Sequence, residues 1–153
     1  MNFLVRIFLL LTVANVCLAT GNILVVGDSL SAGYGMKIEQ SWPALLQDKL
    51  KEEGQSYQVH NASISGQTTS EGLRQIDQLL KLTQPKVVVL ELGANDGLRG
   101  LSIPEMKTNL QTMIQKIQKA KAKAVLVGIK VPNNYGRRYG TMFSQTFEAL
   151  ASQ

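Results

Sequence analysis

The chain has 153 residues, 16 Lys and Arg against 11 Asp and Glu, and a formal net charge of +5. This length supplies one ordinary domain with a core of its own. The composition, 44% hydrophobic and 18% charged, excludes collagen, coiled coils and wholesale disorder. A single cysteine excludes an intramolecular disulfide framework and a cysteine-based zinc cage, and a single histidine argues against a histidine-rich metal site. We therefore expect no bound metal.

Five lysines lie between Lys107 and Lys123, alternating with apolar residues at helical spacing. This pattern is typical of the solvated face of an amphipathic helix, and a patch for nucleic acid or an anionic membrane is the alternative. No aromatic residues that could stack on bases interleave with these lysines. We therefore favour the solvated face and expect no nucleic-acid partner.

The first 19 residues have the three-part layout of a secretory signal peptide. Arg6 precedes an apolar run from Ile7 to Val16, and small residues Cys17 and Ala19 flank Leu18. The run is shorter than the roughly 20 residues of a membrane span. An N-terminal core helix is the alternative, but a predicted strand follows too closely to leave a loop. We expect cleavage after Ala19, a mature domain of residues 20–153, and a periplasmic or secreted protein.

The rest of the chain contains four apolar runs that predict strands. They cover Ile23–Val26, Tyr57–Asn61, Val87–Leu92 and Ala124–Ile129. The third run is almost entirely apolar, which predicts a strand buried on both faces.

Helical patterns fill the gaps between these strands and follow the last one. Ser41 is a candidate N-cap, with Pro43 in the first turn and Gly54 at the end of that helix. Pro104 opens the third helix, and the last covers Tyr139–Leu150. The apolar stripes are Trp42, Leu45, Leu46 and Leu50; Leu73, Ile76, Leu79 and Leu80; and Met106, Leu110, Met113, Ile114, Ile117 and Ala120. Alternating strands and helices predict one α/β domain with a parallel sheet covered on both sides.

Ligands of such sheets bind outside the carboxyl ends of the strands. Four small, polar, glycine-rich loops follow the predicted strands, at residues 27–35, 61–68, 93–97 and 132–138. We expect the functional site among them.

Phosphate-binding and nucleophile-elbow motifs do not fit these loops. The chain contains no G-x-x-x-x-G-K-[ST] sequence, and Gly33 and Gly35 lack a third glycine because Ile38 stands in its place. The G-x-S-x-G elbow fails because Leu30 and Ser31 follow Ser29.

A serine nucleophile with a composite oxyanion hole does fit. Ser29 lies at a strand-to-helix turn, Gly66 allows close approach to its own N–H, and Asn95 offers a side-chain amide. Each residue also has a simpler explanation: a helix N-cap, a positive φ, and a turn, respectively. Three such groups on one edge of a sheet favour the catalytic interpretation.

The sequence resembles the GDSL or SGNH hydrolases. The blocks that carry the resemblance are Gly27–Ser31 with its serine, Asn61–Gly66, and Gly93–Asp96. The resemblance is strongest to the group of periplasmic arylesterase, thioesterase I and lysophospholipase L1. It extends to Trp42–Leu46, Leu98–Gly100 and Asn134–Tyr139.

This resemblance implies a flavodoxin-like three-layer α/β/α sandwich without metal or organic cofactor. It implies hydrolysis of acyl esters and thioesters through an acyl-enzyme on Ser29, with Gly66 and Asn95 as further oxyanion donors. Leu98 and Tyr135 could line an acyl groove, although both could equally serve packing. The expected partner is a small-molecule acyl ester or thioester, with transient contact with lipid substrates, and we expect a monomer.

One block of the family pattern is missing. The chain contains no C-terminal D-x-x-H block, and its one histidine, His60, lies at the end of the second predicted strand. We therefore expect a sheet truncated before its fifth strand, from a protein that is an active esterase when complete. A catalytically silent acyl-binding remnant is the alternative. A flavodoxin-like nucleotide binder is disfavoured by the absence of a phosphate loop.

Overall fold

The computed structural model describes residues 20–152, so the predicted signal peptide at residues 1–19 lies outside the described residues. The strands are β1 Thr20–Gly27, β2 Ser56–Asn61, β3 Val87–Glu91 and β4 Lys123–Leu126. The α-helices are α1 Ser29–Ala32, α2 Trp42–Glu52, α3 Thr69–Thr83, α4 Ala94–Leu98, α5 Ile103–Lys119 and α6 Arg137–Ala151. None of these helices is long and apolar enough to cross a membrane.

The strands form one parallel sheet in the order β2-β1-β3-β4. The predicted parallel α/β architecture is therefore confirmed. The chain moves from β1 to β2 in one direction and then returns to place β3 on the other side of β1. Because such crossovers are right-handed, α2 lies on one face and α3 and α5 lie on the other. The reversal opens a crevice between the carboxyl ends of β1 and β3, where α/β sheets bind ligands.

The main core lies between the sheet and three helices, α3, α5 and α6. Its strand residues are Leu24 and Val26 of β1 and Val88 and Leu90 of β3, and its helix residues include Ile76, Met106, Leu110, Met113, Ile117, Phe143 and Phe147. The predicted stripe of α5 is thus confirmed along most of its length. It is wrong for Ala120, which is exposed, because α5 ends at Lys119 and Ala120 is already its C-cap, in the turn that follows.

The opposite face of the sheet is covered only in part. Helix α2 packs over β2, where the Gln47 side chain donates to the Tyr57 carbonyl and accepts from the Val59 N–H. Further across, Val89 is half-buried and its register partner Val125 is 40% exposed. The prediction that the third strand is buried on both faces is therefore wrong for this face, because α2 packs mainly over β2.

Three local predictions also differ from the structure. Leu45 is 55% exposed, since α2 packs mainly over β2, at one edge of the sheet. Ser41 occupies the N-cap position of α2, but its hydroxyl donates to the Ile38 carbonyl instead of capping the helix. Strand β4 ends at Leu126 and not at Ile129, because its partner β3 ends at Glu91.

Candidate active site

Ser29 is the first residue of α1 and follows β1 with only Asp28 between them. Asp28 is the N-cap: its Oδ1 accepts the Leu30 N–H at 3.0 Å, and the residue is 1% exposed. The residue that caps α1 is therefore Asp28 and not Ser29, so the simpler explanation of Ser29 as a helix N-cap is wrong. The N–H of a first helical residue has no intrahelical acceptor. Within residues 20–152 no hydrogen bond uses the N–H or the hydroxyl of Ser29, so both are available to a ligand.

Gly66 lies in the loop between β2 and α3 with φ 81°, a conformation that favours glycine. Its carbonyl accepts a hydrogen bond from Arg99 Nη2 at 2.7 Å. The same loop is attached to the end of β1, because the Ile64 N–H donates to the Gly27 carbonyl at 3.0 Å. No hydrogen bond within residues 20–152 uses the N–H of Gly66, so this donor is available.

Asn95, the second residue of α4, joins these two loops. Its Nδ2 donates to Asp28 Oδ2 and to the Gln67 carbonyl, each at 3.1 Å. The structure therefore brings the turn after β1, the loop after β2 and the turn after β3 together at the crevice. Both amide hydrogens have protein acceptors, so donation to a substrate oxygen requires one of them to be exchanged.

A buried carboxyl group lies behind the Ser29 turn. Glu91, at the end of β3, is 4% exposed, and its Oε2 accepts the Ser31 hydroxyl at 2.7 Å and the Asp28 N–H at 3.4 Å. Ser31 Oγ in turn accepts from Trp42 Nε1 at 3.1 Å. This network was not predicted from the sequence. An acidic residue inside an otherwise apolar strand was the available indication.

Burial raises the pKa of both carboxyl groups in this network. For Asp28, the hydrogen bonds from the Leu30 N–H and from Asn95 oppose this increase in pKa. For Glu91, the Ser31 hydrogen bond opposes it, while the negative charge of Asp28 raises the pKa further. Among the described residues, Glu91 Oε1 is buried without a hydrogen-bond partner. Ionisation of Glu91 is therefore costly in the folded protein.

A second buried carboxylate attaches the turn after β3 to the helices beneath it. Asp96 is 4% exposed and accepts the Thr69 N–H at 2.8 Å and the Thr69 hydroxyl at 2.5 Å. The Thr69 hydroxyl also accepts from Asn109 Nδ2 at 3.2 Å. The Asn-Asp-Gly sequence is thus more than a turn, because its aspartate joins α4 to Thr69 of α3, and Thr69 in turn is bonded to α5. Within residues 20–152, no group of three or more His, Cys, Asp and Glu side chains could hold a metal ion.

Leu98 and Tyr135 lie next to each other. Leu98, at the end of α4, is 50% exposed, and its carbonyl accepts the Tyr135 hydroxyl at 3.0 Å. Tyr135 stacks on Tyr139 with ring centroids 5.9 Å apart. A neighbouring cleft of about 770 Å³ between α6 and the segment before it is lined by residues such as Val131 and Arg137, but not by Ser29. The hydrogen bond from the Tyr135 hydroxyl to the Leu98 carbonyl attaches the segment before α6 to α4.

His60 does not reach the Ser29 turn along the sheet. It lies on the edge strand β2, in register with Leu24 of β1. That position is three residues before the end of β1 at Gly27, or about 10 Å along the strand. His60 is the single histidine of the chain, so residues 20–152 supply no imidazole at the crevice.

Comparison with known proteins decides the family. Residues 25–153 match the family described as GDSL-like lipase/acylhydrolase. The chain belongs to this family. Its four-stranded sheet is the α/β fold of SGNH hydrolases, and the crystal structure of TesA superimposes with a TM-score of 0.84 at 48% identity, over 86% of this chain and 73% of that one.

Two curated relatives are similar over most of this chain. An arylesterase of Vibrio mimicus is 51% identical over 87% of this chain and 66% of its own length. The thioesterase 1/protease 1/lysophospholipase L1 of Escherichia coli K12 is 44% identical over 88% of this chain and 64% of its own length. The chain therefore spans about two thirds of the length of these relatives.

Proposed function

We propose that this protein is a serine hydrolase of carboxylic esters and thioesters, with Ser29 as the nucleophile. One observation carries the proposal: the Asn95 amide binds both Asp28 and the Gln67 carbonyl. That bridge gathers the Ser29 turn, the Gly66 loop and the Asn95 turn at the crevice where α/β sheets bind ligands. Membership of the GDSL family supports the same chemistry.

The proposed reaction proceeds in two steps. Ser29 Oγ attacks the acyl carbon while its proton passes to a base, and the oxyanion accepts hydrogen bonds from the Ser29 N–H, the Gly66 N–H and Asn95 Nδ2. The alcohol or thiol leaves with a proton, and water then hydrolyses the acyl-enzyme. Loss of one oxyanion donor costs about 10²–10³-fold in kcat in other serine hydrolases.

The histidine base of this mechanism is the part that residues 20–152 do not supply. His60 lies on the edge strand in register with Leu24, away from the Ser29 turn. We propose that the protein carries the family's D-x-x-H block outside the 153 residues, as the greater length of its relatives supports. Reading the coding DNA past codon 153 tests this. An in-frame D-x-x-H supports it, and a clean stop with no such block nearby overturns it.

The proposed substrates are small acyl esters and thioesters, and the protein contacts lipid substrates transiently. The names of the relatives, arylesterase and thioesterase 1/protease 1/lysophospholipase L1, support this range. In this proposal Leu98 and Tyr135 flank the acyl chain, and the protein acts as a monomer. Residues 1–19 direct it to the periplasm or outside the cell, and cleavage follows Ala19.

Hydrolysis of p-nitrophenyl acyl esters tests the nucleophile. Protein made from the complete coding region should release p-nitrophenol, and the Ser29→Ala variant should not. Ser56→Ala, which removes an exposed hydroxyl at the start of β2, is the matched control and should keep wild-type turnover. Equal turnover by Ser29→Ala and wild type, or no turnover by wild type, contradicts the proposal.

A further inference from the structure

A short loop beside Ser29 leaves the domain and returns to it at almost the same point. The two ends of the loop meet where Gly33 lies against Ser41, since a Cβ added at Gly33 would lie 3.2 Å from the Ser41 Cβ. The Trp42 indole, which donates to Ser31 Oγ at 3.1 Å, holds these two ends together. Every residue from 34 to 40 is exposed. This segment is the 34–40 loop.

The 34–40 loop presents large apolar side chains to solvent. Tyr34 is 77% exposed, Met36 51% and Ile38 71%. Two neighbouring turns add Leu30, 63% exposed, and Ile64, 53% exposed. These five side chains, the apolar rim, lie on the edge of the sheet that carries Ser29. Exposed apolar side chains that gather on one edge of a domain are typical of interaction surfaces.

Positive charges accompany the apolar rim. Lys37 lies within the 34–40 loop, Arg99 caps the end of α4, and Arg137 and Arg138 begin α6 at the same edge of the sheet. All four are exposed, and Glu39 is the one acidic residue of the loop. Exposed apolar side chains with exposed cations at the same edge of the sheet are complementary to the surface of an anionic bilayer.

We propose that the apolar rim docks this protein on an anionic lipid bilayer, with the Ser29 crevice facing the membrane. The inference rests on the proposed ester hydrolase function, which gives docking its purpose, because lipid esters are then presented to Ser29. Docking itself needs no turnover. The Ser29→Ala variant should therefore bind vesicles as wild type does, so failure of docking and failure of catalysis are separate results.

Fluorescence quenching by brominated lipid tests which side chains enter the bilayer. The Tyr34→Trp variant adds an indole in the apolar rim, and the emission of wild-type Trp42 is subtracted. Leu82→Trp is the matched control, since Leu82 is 70% exposed in the last turn of α3, at the opposite edge of the sheet. Phosphatidylglycerol vesicles with brominated acyl chains should quench the added emission of Tyr34→Trp and leave that of Leu82→Trp unchanged. Equal quenching of both, or of neither, overturns the proposal.

Vesicle partitioning of a polar variant gives an independent result. The Tyr34→Ser/Ile38→Ser variant should bind phosphatidylglycerol vesicles at least about tenfold more weakly than wild type, because two apolar side chains no longer leave water. Leu82→Ser should bind as wild type does. Equal binding of the double variant overturns the proposal. So does a wild-type dimer in free solution that this variant makes monomeric, because the rim is then an interface between copies.

Discussion

Asn95 Nδ2 donates to Asp28 Oδ2 over 3.1 Å and so connects the turns that follow β3 and β1. Asp28 uses its other oxygen, Oδ1, to cap α1 at the Leu30 N–H. One buried carboxylate thus sets the start of the helix that carries Ser29 and also orients the amide of Asn95. The proposed nucleophile and a proposed oxyanion donor are therefore held by the same side chain.

Removal of the Asn95 amide should therefore slow the reaction more than it weakens substrate binding. We expect Asn95→Ala to lower kcat by about 10²–10³-fold with a smaller change in KM. Asn22→Ala is the matched control, because the Asn22 amide donates to the Thr83 carbonyl at the opposite edge of the sheet. Steady-state kinetics with a p-nitrophenyl ester measure both. A rise in KM at unchanged kcat would show that Asn95 acts only in binding.

The buried Glu91 carboxyl should make stability depend on pH. Its pKa is raised by burial and by the charge of Asp28, so the folded protein holds this proton more tightly than the unfolded chain. Unfolding then releases a proton, and the contribution of Glu91 to stability is lost as pH rises from the ordinary range near ~4.3 through the raised pKa.

The Glu91→Gln variant measures this contribution. Glutamine keeps an oxygen that can accept from Ser31 and Asp28 but cannot ionise. We expect the free energy of unfolding of wild type to fall relative to Glu91→Gln with increasing pH in urea titrations. A difference between the two proteins that does not change with pH, or that changes in the opposite direction, would contradict the assignment.

The space behind the Ser29 turn should not accept an extra methyl group. A Cβ at Gly27 would lie 2.8 Å from Glu91 Oε2 and from the Ser31 side chain. We expect Gly27→Ala to lower the free energy of unfolding by about 1–3 kcal/mol, as overpacking does in other cores. In Gly128→Ala, the control, the new Cβ lies 3.9 Å from Phe147, and we expect a change within about 0.5 kcal/mol. Equal stabilities of the two variants in thermal unfolding would show that the turn can accommodate the extra methyl group.

The hydrogen bonds of Thr69 should stabilise the turn after β3. Thr69→Val keeps the shape of the side chain but leaves Asp96 Oδ1 and Asn109 Nδ2 without this buried partner. We expect a loss of about 1–3 kcal/mol in the free energy of unfolding. Thr108→Val removes an exposed hydroxyl that donates to the Pro104 carbonyl and should cost much less. Similar losses in both variants would argue against a special role for the buried network.

The edge of the sheet that carries the candidate site could be predicted from the sequence. The periodicity of apolar residues locates the strands and helices, and so determines which loops follow the carboxyl ends of the strands. That rule selected the loops of Ser29, Gly66 and Asn95 without reference to any side-chain contact. The capping by Asp28 and the bonds of Glu91 could not be predicted in this way. They depend on which side chains meet across β1 and β3. Glu91 lies in the run that predicts the third strand, which is otherwise apolar. The exposure of Leu45 depends likewise on how far α2 extends across the sheet.

Covalent labelling of Ser29 is the most direct test of the central claim. Protein made from the complete coding region is treated with a fluorophosphonate, digested, and mapped by mass spectrometry. If Ser29 is an activated nucleophile at the crevice between β1 and β3, the adduct will be found on Ser29 and the Ser29→Ala variant will carry none. An adduct on another residue, or an unlabelled Ser29 in the folded wild-type protein, would contradict this account.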